Sequence, residues 1–293
     1  MTPAVAPIAF KNVLFLTDFS KSSEMALPHA IAMAAACEGK VYIGHVIAPQ
    51  FYDLVPPGFV PEVLKQSTAY AQRRMERLVK ETDFGSVPHE CLLEQGELWE
   101  TLRRLANQYA IDLIAVGTGG RRGLHELLMG SIAEEILRLA HCPVLTVGPE
   151  SRDVPANKPR CILLANDFSE NCRRAVLYGD VLARKFEVRL VCLHVASEAP
   201  EDPEITARLE QFLLQKLENS FEVTSFAKGQ VEFRVEFGEP ADSILKAASK
   251  NDVDLIVMGV RGARSVKRAT CHLGRNTYEV VLDARCPVLV VPG

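Results

Sequence analysis

The sequence predicts an α/β protein of two tandem domains, each built on a parallel sheet with helices on both faces. Three observations carry that prediction: a duplicated set of landmarks at nearly constant spacing, strand-like and helix-like runs that alternate in each copy, and an ordinary globular composition. Asp18-Phe19-Ser20 recurs as Asp167-Phe168-Ser169, and His45-Val46 as His194-Val195, both 149 positions on. Gly96-Glu97 and Asp112-Leu113-Ile114 recur 142 positions on, as Gly238-Glu239 and Asp254-Leu255-Ile256. Cys142-Pro143-Val144-Leu145 recurs 144 positions on as Cys286-Pro287-Val288-Leu289. Landmarks that keep their order mean two copies of one unit, the second about seven residues shorter in its middle. The expected domains are residues 1–149 and 159–293, with a linker at 150–158 inside the polar stretch ESRDVPANKPR.

A length of 293 residues fits two domains of ~150 each. Hydrophobic residues at 48% and charged residues at 24% exclude a disordered or fibrous chain. Lysine and arginine number 33 against 37 acids, a net charge of −4, which argues against a nucleic-acid partner. No apolar run approaches the ~18 residues of a membrane helix. The N-terminus, MTPAVAPIAF, lacks the charged start and apolar core of a signal peptide. A cytoplasmic location is therefore expected. Eight cysteines without a CxxC pair read as reduced, buried thiols. The adjacent pairs His141-Cys142 and Cys271-His272 are poor zinc ligands, since neighbours rarely both ligate, and no metal site is expected.

The elements follow in order. An apolar run, VLFLT (13–17) or CILLA (161–165), opens each copy and ends at the Asp-Phe-Ser triplet. Ser20 and Ser169 suit helix N-caps, where a hydroxyl accepts an orphaned amide. The helix of copy one runs to about Gly39, with a kink expected at Pro28, which has no amide hydrogen. A second strand closes on His45-Val46 or His194-Val195. In copy one PQFYDLVPPGFVP (49–61) then reads as a lid or a contact surface. Leu64, Thr68, Ala71, Met75 and Leu78 step by four and three, one buried helical stripe; Ile205, Leu209, Phe212, Leu213 and Leu217 are expected to do the same in copy two. Val231, Phe233, Val235 and Phe237 alternate with polar residues as a third strand. Leu98, Leu102, Leu105 and Tyr109 mark the next helix, on which Trp99 is a packing residue. DLIAVG (112–117) and DLIVMG (254–259) read as buried parallel strands, and a helix and a PVLTV or PVLVV strand end each copy. Parallel strands require right-handed crossovers, which put helices on both faces. Ligands then bind beyond the carboxyl ends, where strand order reverses. Asp18, Val46 and Gly117 should share that edge.

Copy one continues there with GTGGRRGLHELLMGS, from Gly117 to Ser131. Its skeleton is Gly117, two residues, Gly120, nine residues, then Gly130-Ser131. Glycines just past a buried strand let backbone amides approach an anion. Gly130-Ser131 opens a helix whose free amides and positive dipole end favour phosphate, and the Ser131 hydroxyl adds a donor. This is neither a Walker A loop, which needs Gly-Lys-Ser/Thr, nor GxGxxG after the first strand.

The Asp-Phe-Ser and His-Val landmarks, this glycine pattern and the Cys-Pro-Val-Leu strand together resemble the universal stress protein family, over about residues 9–149 and 159–292. The resemblance implies two Rossmann-like domains, each a five-stranded parallel sheet. It also implies ATP as ligand, alone or with Mg2+. Carried over residue by residue, the cofactor-binding set is Thr17, Asp18, Val46, Gly117, Gly120, Arg121, Gly130, Ser131 and Ile132. Asp18 would sit by the ribose or metal end, the Val46 backbone by the adenine, and the glycines with Ser131 by ribose and phosphates. In copy two the set is Asp167, Val195, Gly259, Gly262, Gly274 and Arg275. There eleven residues separate Gly262 from Gly274, and Arg275 replaces the hydroxyl, where its side chain is expected to crowd the phosphate seat. The resemblance also implies last strands that commonly pair across a dimer. Here Val144–Val147 and Val288–Val291 offer that pairing within one chain, and a homodimer stays open.

Structural duties compete for the same residues. Asp18 and Asp167 suit helix capping, His45 and His194 suit a satisfied structural role, the glycines suit turns, and Arg121-Arg122 suit a solvated loop. The function expected is an ATP-binding regulatory protein of the stress response, with nucleotide held mainly by the N-terminal domain. One alternative is a slow ATP hydrolase or adenylate- or phosphate-transfer enzyme. No Walker lysine, paired acidic metal ligands or nucleophile–base constellation supports that, and no catalytic residue is assigned. The other is a non-catalytic scaffold with a small-molecule or partner surface on the second domain.

Overall fold

A computed structural model describes residues 8–48, 56–119, 129–152, 159–221, 230–260 and 273–293. The N-terminal half runs β1 (Asn12–Leu16), α1 (Lys21–Glu24), α2 (Leu27–Ala36), β2 (Lys40–Ile47), α3 (Val60–Glu81), β3 (His89–Gln95), α4 (Leu98–Gln108), β4 (Leu113–Gly117), α5 (Ser131–Leu139) and β5 (Val144–Val147). The C-terminal half repeats it as β6 (Cys161–Ala165), α6 (Cys172–Phe186), β7 (Arg189–Ala196), α7 (Pro203–Ser220), β8 (Val231–Phe237), α8 (Pro240–Lys250), β9 (Leu255–Val260), α9 (Arg275–Asp283) and β10 (Val288–Pro292).

The two five-stranded parallel sets are not separate sheets. They fuse into one ten-stranded sheet of order β3-β2-β1-β4-β5-β10-β9-β6-β7-β8. Every neighbouring pair is parallel except the central one, where β10 and β5 run antiparallel with Leu289 opposite Leu145. The pairing offered by the two PVL strands thus closes inside the chain. Both leucines are fully buried, and Thr146 donates its hydroxyl to the Val288 carbonyl across the seam (3.1 Å). Near-continuous apolar runs such as VLFL and CILL form the inner strands because both sheet faces are covered. Helices α2, α3, α6 and α7 pack on one face, and α4, α5, α8 and α9 on the other.

Proline explains the main difference between the copies. The first helix of copy one breaks at Met25-Ala26, and Pro28 sits in the first turn of α2, where a missing amide costs nothing. At the corresponding place copy two has Leu177, and α6 is continuous. Ser20 caps α1 by accepting the Ser23 amide (3.1 Å). Ser169 lies three residues before α6, yet still accepts the Cys172 amide (3.3 Å). Buried Ala71, Met75 and Leu78 form the stripe of α3, and Trp99 packs against the core. The stripe of α7 is narrower than expected. Only Leu213 and Leu217 are buried, whereas Ile205 and Phe212 are 54% and 60% exposed. Phe212 is turned about 100° from Leu213 around the helix. Ile205 lies in a first turn where Pro203, Glu204 and Ala207 are exposed too.

Among the described residues, no helix is long and apolar enough to cross a membrane, and no cluster of His, Cys, Asp or Glu could hold a metal ion. Cys271-His272 lies outside those residues. Burial pushes the Cys172 thiol up to about 11 and those of Cys142 and Cys286 to about 12, which keeps them protonated and unreactive.

Each half anchors its first strand with an aspartate. Asp112 accepts the amides of Lys11 (2.7 Å) and Asn12 (3.2 Å), and Asp254 accepts that of Arg160 (2.6 Å). Burial outweighs those hydrogen bonds at Asp112 and raises its carboxyl from 3.8 to about 6. A folded value above the unfolded one means that folding favours the protonated form. The stabilisation is complete below about pH 4 and is lost as pH rises through about 6. Unfolding free energy measured by urea should therefore carry a declining component between pH 4 and 7 that Asp112→Asn removes. At the seam, Leu289→Ala should cost about 2–5 kcal/mol in the same measurement.

Candidate functional site

In strand order β2-β1-β4, the chain leaves β1 toward β2 on one side and returns through β4 on the other, so strand order reverses at β1. The carboxyl ends of these three strands carry Val46, Asp18 and Gly117 to one edge, as expected, with Thr17 next to Asp18. Beyond β1, the Thr17 amide bonds the Gly44 carbonyl (3.0 Å), the last rung on that side. Two residues further on, the alternation of the strand turns the Val46 amide and carbonyl the same way, past the end of β1. The chain from β4 to α5 starts and ends at this edge. Gly119 pairs with Met129 in an isolated bridge, and the Gly130 amide donates to Thr118 O (3.3 Å). Gly120 and Arg121, with Arg122, lie outside the described residues.

No N-cap side chain bonds the start of α5, as is also the case at α2, α3, α6, α8 and α9. Side chains cap α1 (Ser20), α4 (Glu97) and α7 (Asp202). Gly130 supplies none, and the first helical hydrogen bond is made by the Glu134 amide. The amides of Ser131, Ile132 and Ala133 precede that bond and point out of the helix end. Ser131 is exposed, and Ile132 is 46% exposed beside it. A first turn of open amides with a hydroxyl and a positive dipole end can accept an anion.

Asp18 lies on the exposed rim. Burial works to raise its carboxyl, but hydrogen bonds, chiefly with Ser20, outweigh it and hold it below 3.8. The carboxylate accepts the Ser20 amide (2.9 Å) and so shapes the turn, while Ser20 itself caps the helix. The Thr17 hydroxyl is committed internally, accepting the Phe19 amide (2.9 Å) and bonding Ser23 Oγ (3.0 Å). Phe19 has φ +60°, a costly value for a bulky residue, and its surroundings hold it there. His45 Nδ1 donates to Thr17 O (2.8 Å) and its ring packs on Phe19 (4.4 Å). The carbonyl can only accept, so the proton is on Nδ1. Desolvation lowers the His45 pKa, which leaves it neutral and structural.

Copy two repeats the device. Phe168 has φ +60°, its amide donates to Asn166 Oδ1 (2.9 Å), and His194 donates to Asn166 O (2.7 Å). One further member belongs to no motif: Arg74 sits over Phe19 and donates to Phe19 O (2.8 Å), and Lys216 sits over Phe168 (4.2 Å). These cations are 142 positions apart, the same offset as two other landmarks, and that was the available signal.

Two expectations change in physical content. Gly117 is glycine because α1 lies against it: a Cβ would stand 2.7 Å from Ser23 Cα and nearer still to the Ser22 carbonyl. Gly259 meets Asn171 O and Cys172 Cα at 2.9 Å in the same way. Close helix–strand approach fixes both, whatever their amides contact. At Gly119, not singled out in the sequence, a Cβ would meet the Ser22 side chain rather than backbone. Arg275 does not crowd the start of α9. It reaches along its own helix to Glu279 (2.8 Å), leaving the first turn after Gly274 without a side-chain cap. Asp167, Val195 and Gly259 occupy the equivalent edge of β6, β7 and β9, and Gly262 lies outside the described residues.

The sequence model of the Universal stress protein family matches residues 9–148 and 159–292, nearly the whole chain in two passes. The chain belongs to the universal stress protein family. It is 33% identical over 142 residues to a universal stress protein of Methanocaldococcus jannaschii, which covers 47% of this chain and 82% of that one. It is 34% identical over 140 residues to one of Thermus aquaticus, covering 45% of this chain and 98% of that one. The crystal structure of a universal stress protein from Archaeoglobus fulgidus DSM 4304 superposes with a TM-score of 0.74 at 22% identity, covering 97% and 99% of the two chains, and shares the fold. Each sequence relative thus matches about half of this tandem universal stress protein.

The two glycine environments predict opposite outcomes. Gly117→Ala should cost about 1–3 kcal/mol, because backbone of α1 must move. Gly274→Ala meets only Thr277 Oγ1 at 4.0 Å with φ −56°, and should stay within about 0.5 kcal/mol of the parent in chemical denaturation.

Proposed function

We propose that this universal stress protein is an ATP-binding regulatory protein of the stress response, with the nucleotide held mainly by the N-terminal half. The observation that carries the reading is the uncapped start of α5, where three open amides and the exposed Ser131 hydroxyl follow Gly130 at the reversal edge. Those donors fit the phosphates of ATP, and Asp18 on the rim, with the outward-turned backbone of Val46, fits its ribose or metal end and its base. Gly117, Gly120, Arg121 and Ile132 complete the proposed set, with Thr17 shaping the turn. Mg2+ would travel with the phosphates, since no acidic metal cluster occurs among the described residues. The C-terminal edge, with Asp167, Val195, Gly259, Gly262, Gly274 and Arg275, is the weaker seat. Its helix start lacks the hydroxyl that Ser131 supplies in the N-terminal half.

Calorimetric titration tests this directly. ATP should saturate at one per chain, and Gly130→Val should weaken it by at least about tenfold, because a side chain there shields the first-turn amides. Valine tolerates the Gly130 backbone at φ −60°, so the fold should survive. Undiminished affinity in Gly130→Val would overturn the site, and two equivalent sites per chain would overturn its assignment to the N-terminal half.

A further inference from the structure

We propose a second ligand site, for a small organic phosphate, in a cleft on the C-terminal half at the seam between the domains. The cleft measures about 300 Å3 and lies between α8, the end of α9 and the segment at Arg152. That is the lower end of the size range of small-molecule sites. Its floor is apolar, with Leu245, Ala248, Val253 and Ala284, and three cations stand at its rim: Arg152, Lys246 and Arg285. Among the described lining residues, Asp283 is the one acid against three cations, a local charge opposite in sign to the chain's net −4.

The ordinary reason for cations here would be to satisfy helix C-terminal carbonyls. Backbone already does that. Asn251, Val253 and Asp252 donate to the carbonyls of Ala247, Ala248 and Ser249, and Arg152 N donates to Arg285 O (3.0 Å). Lys246 and Arg285 have no ion-pair partner among the described residues. Arg152 pairs with Asp252 (3.0 Å), but both are solvated, and a pair of that kind contributes at most about 1 kcal/mol. A dianion can compete for it.

The duplication supplies a control. The N-terminal counterparts of Lys246 and Arg285 are Arg104 and His141, and Arg104 is bonded to Glu94 (2.7 Å). The C-terminal cleft is walled by the Arg152 segment, which enters from the other half. The site thus belongs to the tandem chain and lies at the amino edge of its strands, away from the nucleotide edge of its own half.

Phenyl phosphate, a ring carrying a dianion, is the probe, titrated into the full chain at low ionic strength by calorimetry and amide NMR. Saturable one-to-one binding is expected, with shifts at Lys246, Ser249 and Arg285. The double variant Lys246→Ala/Arg285→Ala should lose at least about tenfold in affinity, inorganic phosphate should bind at least about tenfold more weakly than the probe, and Gly130→Val should bind it unchanged. Absence of saturation, or full affinity in the double variant, would overturn the site. Equal binding of inorganic phosphate would overturn the organic ligand class. Loss of binding in Gly130→Val would show that the probe reports the α5 seat instead.

Discussion

Antiparallel pairing of β5 with β10 is the constraint on which the rest of the architecture depends. Val144 to Thr146 lie opposite Val290 to Val288, with Leu145 and Leu289 meeting at the centre, fully buried. Because all other neighbours are parallel, this one pairing reverses strand direction between the halves. The carboxyl ends of β2, β1 and β4 emerge on one side of the sheet and those of β7, β6 and β9 on the other. The two candidate nucleotide edges therefore face apart. Each abuts the amino edge of the opposite half, as the approach of Gly148 to the Ala284 carbonyl illustrates. The same geometry brings Arg152 against Arg285 and walls the cleft of the C-terminal half.

Duplication also separates what the fold requires from what a site requires. Phenylalanine at φ +60°, a histidine bonded to the first-strand carbonyl, and a cation over the ring occur in both halves, though threonine in one is asparagine in the other. Glycine at the end of β4 and of β9 is likewise needed twice, for helix approach. Ser131 against Arg275, by contrast, changes the chemistry offered at two equally uncapped helix starts. The turn that carries Asp18 and Asp167 is kept in both halves.

Much of this was legible in the sequence. The repeat offsets and alternating patterns specified two α/β copies, and the family resemblance pointed to pairing of their PVL strands. The reversal rule collected Asp18, Val46 and Gly117 at one edge. Side-chain direction was less legible. Helical periodicity assigned Ile205 and Phe212 to a buried stripe, but the pattern alone does not say how much of α7 meets the sheet. Arg275 read as an obstruction because sequence spacing does not show which neighbour an arginine prefers; Glu279, four residues on, was that neighbour. Gly117 was singled out for amide access to a ligand; the approach of α1, a contact between segments distant in sequence, requires glycine there in any case.

The central claim is that open amides at the start of α5 receive a triphosphate. Residue-resolved amide NMR of the full chain during ATP titration addresses it most directly. The account predicts saturable shifts at Ser131, Ile132 and Ala133, with much smaller changes at Arg275 and the residues after it. Unmoved signals from residues 131–133 at saturating nucleotide would contradict it.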